Sequence, residues 1–280
     1  MKKILFDSGC DLMGLQYVPE GVVFSKVPLK IIVGDKEFVD DATLDTEKMM
    51  DEVYAYPGKT GTACPSPEQW ATEFRDAEEC YVITVTGTLS GSHNSAELAK
   101  RMVLEEHPEK KIYILDSCSA SGKMVLLVYK LVELLEKGLE FEEVCREMDA
   151  YAKDTQLVFL LYSIENLVKN GRVSKMAGMA ANVLGLHVIA KTNEGGSIES
   201  IGKARGKKKG AKILLDEMER QSYKGGKIIL SHCGNEEGLQ FIKECILEIY
   251  PGVEIEEMKT GGICSYYAER GGVVVGYECR

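Results

Sequence analysis

The sequence predicts an α/β fold with two α/β parts, the first a mostly parallel open sheet with flanking helices and the second a mixed sheet. Through the first 155 residues, short β-branched and aromatic runs alternate with helix-like segments, as in parallel sheets. Two of these runs end in the same pair, Asp7-Ser8 and Asp116-Ser117. Later in the chain, two strand-like runs flank Asn193–Gly196, a pattern typical of a hairpin. We therefore place a boundary near residue 155, giving parts at residues 1–155 and 156–280.

The elements of the first part follow from residue propensity and capping signals. The predicted strands are residues 3–8, 22–24, 27–33, a short strand within 34–38, 81–86 and 111–117. The predicted helices are residues 46–56, a helix beginning at 67, a helix from 94 to about 106, 121–137 and 141–154. Thr46 is expected to cap the first helix, Ser66 and Gln69 form a capping box for the second, and Gly138 ends the fourth.

The second part begins with an apolar strand. The predicted strands are residues 157–162, 186–190, 197–201, 227–231 and 253–258, and the sequence ends with the apolar run GGVVVGY at residues 271–277. The predicted helices are a turn at 164–169, a small-residue helix at 176–183, a helix ending near 223 and a helix at 236–250. A strongly basic run, KARGKKK at residues 203–209, stands between the hairpin and the next helix.

Composition narrows the functional classes. The net charge of -10 argues against a nucleic-acid partner, because phosphate binding needs clustered Lys and Arg. Nine scattered cysteines without a C-x-x-C pair favour reduced thiols in a cytoplasmic protein and no zinc site. The first strand meets Asp7 too early for a signal-peptide core, and the apolar stretch at 157–164 is too short to span a bilayer.

The most informative stretch is YVITVTGTLSGSHNSA, residues 81–96, a strand that turns into a helix through small hydroxyl-bearing residues. Such a turn leaves free backbone N–H groups at the helix start, next to the hydroxyls of Ser90 and Ser92. Two interpretations remain open: a site for an anionic oxygen, or an ordinary serine cap without a ligand. Thr62, before the second helix, is another hydroxyl in a predicted loop at 62–64.

Other chemistries are not supported by the residues. Ser90 is not in a G-x-S-x-G elbow, because Gly87 lies three residues before it and Gly91 directly after it. The run GKKKGAK at residues 206–212 lacks the spacing of a phosphate-binding loop, and no His/Cys/Asp/Glu cluster has metal-ligand spacing. Only four histidines are present, so nothing favours a catalytic triad, although a hydrolase or transferase that uses Ser90 stays the alternative.

Six short motifs in order resemble the DegV family of bacterial fatty-acid-binding proteins over nearly the whole chain. DSGCDL at residues 7–12 resembles the D-S-x-x-D-L opening of the family, and TACPS at 62–66 is similar to T-S-x-P-S. LSGSHNSA at 89–96 resembles L-S-G-T-Y-x-S-A, and Asp116-Ser117 is in place. NGRV at 170–173 resembles G-G-R-I, and KARGKK at 203–208 resembles the R-x-K-K segment.

The resemblance implies a carrier for one long-chain fatty acid and not an enzyme, with no cofactor and no metal. The carboxylate would be held by residues matching Thr62, Ala63, Ser90, Gly91 and Ser92, with the tail in an apolar tunnel of the N-terminal, lipid-binding part. The carrier would present the acid to a separate fatty-acid kinase of phospholipid metabolism.

In that family the arginine matching Arg205 lies on the surface and is tied to contact with the kinase or with a membrane, so transient membrane contact is part of what the resemblance implies.

The sequence departs from the family pattern at four places. Ala63 stands where the family has Ser, Ser92 where it has Thr, and His93 where it has Tyr. The C-terminal H-x-G-P-G is replaced by AERGG at residues 268–272, so the histidine expected near the carboxylate is missing. Arg270 and His93 are candidate substitutes, and Arg172 is a further candidate neighbour of the head group.

Overall fold

The computed structural model describes residues 1–173 and 186–279, and it confirms the α/β class with one parallel and one mixed sheet. The described strands are β1 Lys2–Asp7, β2 Val22–Val27, β3 Lys30–Val33, β4 Lys36–Val39, β5 Thr60–Ala63, β6 Glu79–Thr84, β7 Lys111–Asp116, β8 Thr155–Leu161, β9 Leu186–Thr192, β10 Ile198–Arg205, β11 Ile228–His232, β12 Ile255–Lys259 and β13 Val273–Glu278. The described helices are α1 Thr46–Ala55, α2 Pro67–Arg75, α3 Ser92–Glu106, α4 Ser121–Glu136, α5 Phe141–Lys153, α6 Glu165–Lys169, α7 Lys207–Arg220, α8 Glu236–Ile249 and α9 Gly262–Ala268.

The first sheet has the order β2-β1-β6-β7, and all its pairs are parallel. Strands β1 and β6 are buried at its centre, which is why both read as near-continuous apolar runs. Their carboxyl ends, at Asp7 and Thr84, lie side by side and lead into the loops that carry the polar residues described below. An open parallel sheet places ligand-binding loops at this edge.

A small antiparallel sheet, β4-β3-β5, differs from the sequence expectation. The run 27–33 was expected to be one strand, but Pro28 separates β2 of the parallel sheet from β3 of the small sheet. Proline cannot donate to a sheet ladder, which explains the break. Thr62 and Ala63, expected in a loop, belong to β5, and Thr62 pairs with Ile31 of β3.

The second sheet has the order β10-β9-β8-β13-β11-β12, with only the β11–β12 pair parallel. The predicted hairpin around Asn193–Gly196 is confirmed as the antiparallel β9–β10 connection. One face of this sheet packs on α7 and α8. The opposite face carries Leu157, Phe159 and Leu161 of β8, which alternate with the residues of the first face.

Helix boundaries test the capping predictions directly. Ser66 and Gln69 form the predicted capping box of α2, and Gly138 follows α4 with a φ of 69°. The assignment of Thr46 as a cap is wrong, because Asp45 is the N-cap and accepts a hydrogen bond from the N–H of Lys48 at 3.0 Å. The predicted helix at 176–183 lies outside the described residues.

Helix α4 belongs to the cores of both sheets. Its side chains pack against β1 and β6 of the first sheet and against Ile229 of β11. Gly122 approaches Gly276 of β13 so closely that a Cβ on Gly122 would lie 3.0 Å from the Gly276 nitrogen. The boundary near residue 155 therefore crosses a packed interface, and it remains a proposal about domain organisation.

Candidate functional site

A partly enclosed cavity lies between the two sheets, and its empty space, counted together with the open solvent at its mouth, is about 810 Å³. Its apolar wall comes from both sides of residue 155. The first part of the chain contributes Leu29, Val85, Leu89 and Ala120, and the second contributes Leu157, Phe159, Leu161, Leu167, Ala268 and Val274. The tunnel was expected within the N-terminal residues, whereas this cavity is shared between both parts.

The polar residues of the cavity wall fall into two groups. The first, which we call the hydroxyl mouth, consists of Thr62, Ser90, Arg172 and Tyr267. The hydroxyls of Thr62 and Tyr267 are 2.8 Å apart and hydrogen-bonded. The Arg172 guanidinium lies 5.9 Å from the centre of the Tyr267 ring, and its Nε donates to the carbonyl of Leu89 at 3.1 Å. These contacts bring a cation and three hydroxyls together beside the apolar wall.

Ser90 lies on a tight turn that leads into α3. Its N–H donates to the carbonyl of Thr86 at 3.1 Å, and its Oγ accepts from the N–H of Ser92 at 3.2 Å. The formal N-cap is Gly91, which has no capping side chain. The N–H groups of Gly91 and His93 have no acceptor within the described residues, so donors remain for an anionic oxygen at this helix start.

Ser92 does not line the cavity, and its hydroxyl instead holds the Ser90 turn in place. Its buried hydroxyl donates to Asp7 at 2.6 Å, and the N–H groups of Val85 and Gly9 also donate to this carboxylate at 3.0 Å each. Burial outweighs these bonds and raises the pKa of Asp7 to about 6. Ser92 is therefore brought to the site as a support for the Ser90 turn rather than as a wall residue.

The other candidate residues are more dispersed. His93 bonds the Thr84 hydroxyl through Nδ1 at 3.1 Å, and it does not line the cavity. Arg270 is paired with Asp51 at 2.5 Å and lies over the Tyr54 ring, also outside the cavity wall.

Two further candidates, Ala63 and Gly91, flank the mouth without lining it. Cys64, the residue after Ala63, lies against Gly91, since a Cβ on that glycine would be 3.0 Å from the Cys64 sulfur.

Arg205, the candidate docking residue, is exposed at the end of β10, away from the cavity wall. Within the described residues its side chain has no hydrogen-bond or ion-pair partner. Its neighbour Lys207, by contrast, is paired with Glu237 at 2.6 Å.

Tyr267 is a candidate site residue that sequence reasoning missed. It lies on the short helix α9, whose first N–H groups are held by a buried carboxylate: Gly262 and Ile263 both donate to Asp40 at 2.8 Å. A second buried carboxylate, Asp11, accepts from the N–H of Gly261 at 2.9 Å. The only sequence signal was the paired tyrosines of CSYYAE, directly before the position of the missing histidine.

None of the helices in residues 1–173 and 186–279 combines the length and apolar character needed to cross a bilayer. The same residues contain no group of three or more His, Cys, Asp or Glu arranged to hold a metal ion.

The fold and the cavity define an α/β protein with a largely apolar chamber that carries a cluster of hydroxyls in its wall. The model of the DegV family, described as uncharacterised proteins, matches residues 1–279. A DegV domain-containing protein of Streptococcus pneumoniae is 45% identical over 276 residues, covering 99% of this chain and 98% of that protein. The chain therefore belongs to the DegV family.

Solved structures of similar proteins contain fatty acids. The Fatty Acid Kinase (Fak) B3 protein of Streptococcus pneumoniae, solved loaded with linoleic acid, is 44% identical with a TM-score of 0.97, covering 100% of this chain and 99% of that one. A DegV family protein of Eubacterium eligens, loaded with heptadecanoic acid, is 39% identical with a TM-score of 0.95, and each chain is covered completely.

Proposed function

We propose that this protein binds one long-chain fatty acid, with its tail in the shared cavity and its carboxylate at the hydroxyl mouth, and presents it to a separate fatty-acid kinase. The observation that carries the proposal is the cavity itself, where Thr62, Ser90 and Tyr267 meet an apolar wall. Similar proteins of the family hold fatty acids, and one is named for its part in fatty acid kinase.

The energetics favour the tail as the main source of affinity. Burying a sixteen-carbon chain at ~0.8 kcal/mol per methylene gives a gross gain of roughly 12 kcal/mol before the costs of binding. The carboxylate must meanwhile find hydrogen-bond donors, because an unpaired buried charge costs several kcal/mol. Thr62, Ser90, Tyr267 and the free N–H groups of the helix start supply them, with Arg172 beside them. Tyr267 takes the place that the sequence suggested for Arg270 or His93.

A carrier role fits the surroundings of Ser90 better than catalysis does. Within the described residues, the Ser90 hydroxyl contacts only the N–H of Ser92, and no histidine or carboxylate bonds to it. The nearest histidine in sequence, His93, is engaged with Thr84. A nucleophilic serine needs a base within hydrogen-bond reach, and none is present among these residues. We place the carrier in the cytoplasm, where its nine unpaired cysteines would stay reduced.

The test is mass spectrometry of the purified protein, followed by a palmitate titration. We expect a fatty acid at near one-to-one stoichiometry, and at least about a hundredfold weaker binding in the Thr62→Ala, Ser90→Ala double variant, because two hydrogen bonds to a carboxylate are lost at about 1.5–3 kcal/mol each. The matched control is Thr72→Ala, Ser197→Ala, which removes two hydroxyls outside the cavity wall. Unchanged palmitate affinity in the site variant would reject the proposed carboxylate position, and a protein that takes no fatty acid would reject the function.

A further inference from the structure

The second polar group of the cavity wall consists of Thr86, Ser119, Ser121 and Thr192. These hydroxyls are set against the same apolar wall but are distinct from the hydroxyl mouth. In an apolar chamber, each hydroxyl hydrogen that lacks an acceptor costs about 1–3 kcal/mol. Whether this second group is only structural therefore depends on whether each hydroxyl hydrogen has an acceptor in the protein.

Two of the four hydroxyls are satisfied by the protein. Thr86 Oγ1 donates to the carbonyl of Gly196 at 3.1 Å, and Ser121 Oγ donates to the carboxylate of Asp11. Each has one hydrogen and one acceptor for it, so neither offers a donor to a ligand.

Ser119 and Thr192 are different, because among the described residues their hydroxyls hydrogen-bond only to each other. Both side chains are more than nine-tenths buried, and their hydroxyl oxygens are 3.3 Å apart. The pair has two hydrogens, but its single contact uses one. Within the described residues neither hydroxyl has another hydrogen-bond partner, so one O–H of the pair is left without an acceptor, and both residues line the cavity.

We infer that the Ser119–Thr192 pair is a subsite for a hydroxyl group on the acyl chain, so that the cavity takes a hydroxylated fatty acid in preference to a plain one. A hydroxyl suits the pair because it accepts the spare hydrogen and donates to the spare lone pairs at the same time. This inference rests on the proposed function, whose hydroxyl mouth fixes the other end of the same ligand.

The position of the pair agrees with such a ligand. The N–H of Thr86 donates to the carbonyl of Ser119 at 2.8 Å, and the N–H of Ser90 donates to the carbonyl of Thr86 at 3.1 Å. Thr86 thus links the subsite to the Ser90 turn through these two hydrogen bonds. One acyl chain can therefore reach both the subsite and the hydroxyl mouth. Water is the competing occupant, since Thr192 also borders a polar surface groove.

The experiment is a competition titration of the whole protein with stearic acid and a set of hydroxystearic acids that differ only in hydroxyl position. We expect at least one isomer to bind three- to tenfold more tightly than stearic acid, the range given by one net hydrogen bond. In Ser119→Ala and in Thr192→Val this advantage should be lost, so that the preferred isomer and stearic acid bind each variant with equal affinity. The matched control is Thr155→Val, a buried threonine whose hydroxyl donates to a backbone carbonyl outside the cavity wall.

The outcomes separate the two proposals. If stearic acid binds but every hydroxy isomer binds more weakly, the subsite is wrong and the pair holds water. The subsite is also wrong if the preferred isomer keeps its advantage in both variants. If neither stearic acid nor any isomer binds the wild-type protein, the proposed function itself fails.

Discussion

Asp40 offers a graded test of how the site is assembled. Its two carboxylate oxygens accept the N–H groups of Gly262 and Ile263, the first two residues of α9, at 2.8 Å each. Both N–H groups are buried, so removing an acceptor leaves a donor without a partner. Asp40→Asn retains one acceptor oxygen and should lower the free energy of unfolding by about 1–3 kcal/mol, whereas Asp40→Ala removes both and should cost about 2–6 kcal/mol.

The charge of Asp40 modifies these values in a predictable direction. Burial raises the pKa of this carboxyl, which means that its charged form is held less well in the folded protein than in water. A neutral replacement recovers part of that cost, so we expect both losses in the lower half of their ranges. Because the pKa of Asp40 is higher in the folded protein than in the unfolded chain, wild-type stability should fall as pH rises above the ordinary pKa of an aspartate. Both variants should lack this pH-dependent contribution.

The measurements are urea unfolding and palmitate titration on each variant. Because α9 carries Tyr267 and Ile263 of the cavity wall, loosening its start should also weaken palmitate binding. The matched control is Asp41→Ala, which removes the next carboxylate along the chain. This partly exposed group has side-chain hydrogen bonds only to Thr43 among the described residues, and its loss should change stability by less than about 1 kcal/mol. Equal losses for Asp40→Ala and Asp41→Ala would refute the reasoning, and so would palmitate binding that is unaffected by a destabilised α9.

Three further predictions concern the hairpin, the buried first-strand acid and the docking residue. Gly196→Ala would place a methyl group 2.0 Å from the Thr86 hydroxyl oxygen of the cavity wall and should weaken palmitate binding. The control Gly138→Ala has a similar φ but open space around it, and it should cost only about 1–2 kcal/mol of stability. Equal effects of the two variants on palmitate binding would count against the contact between the hairpin and the cavity wall. The pKa of about 6 for Asp7, above the ordinary 3.8, predicts that stability falls by about 2 kcal/mol as pH rises from 4 to 6, out of about 3 kcal/mol over the whole titration. The stability difference between wild type and Asp7→Asn should therefore change through this window in urea unfolding, and a flat difference would contradict the raised pKa. Arg205→Ala should reduce phosphorylation of the bound acid by a purified fatty-acid kinase without affecting palmitate affinity. The control Lys212→Ala replaces an exposed, ion-paired lysine and should leave both phosphorylation and palmitate affinity unchanged. Phosphorylation at the wild-type rate in Arg205→Ala would reject docking at this residue.

Local signals were sufficient to predict much of the fold. The capping box at Ser66 and the glycine after α4 depend on residues within a few positions of each other, and both were confirmed. The central strand of residues 81–86 was predicted because its buried run is continuous, although the observed strand spans Glu79–Thr84. Errors arose where two neighbours compete for one role, as when Asp45 rather than Thr46 caps α1.

The site was harder to predict because its parts are far apart in the chain. Thr62 and Ser90 were selected from local hydroxyl patterns, and both line the cavity. Tyr267 bonds to Thr62 across 205 positions of sequence, and no local pattern records that contact. Arg270, three residues after Tyr267, was a candidate substitute for the missing histidine, but α9 ends at Ala268 and Arg270 is paired with Asp51.

The DSGCD opening at residues 7–11 has a physical explanation in this arrangement. Asp7 supports the Ser90 turn through Ser92, and Asp11 holds the start of α9 and the start of α4 through Gly261 and Ser121. Gly9 lies between them because a Cβ there would be 2.6 Å from the Cβ of Val85. One strand end thus fixes three segments that are distant in sequence, and each of them contributes wall residues to the cavity. The buried acids carry an electrostatic cost that raises the pKa of Asp7, and in return they hold the hydroxyls of the cavity in place.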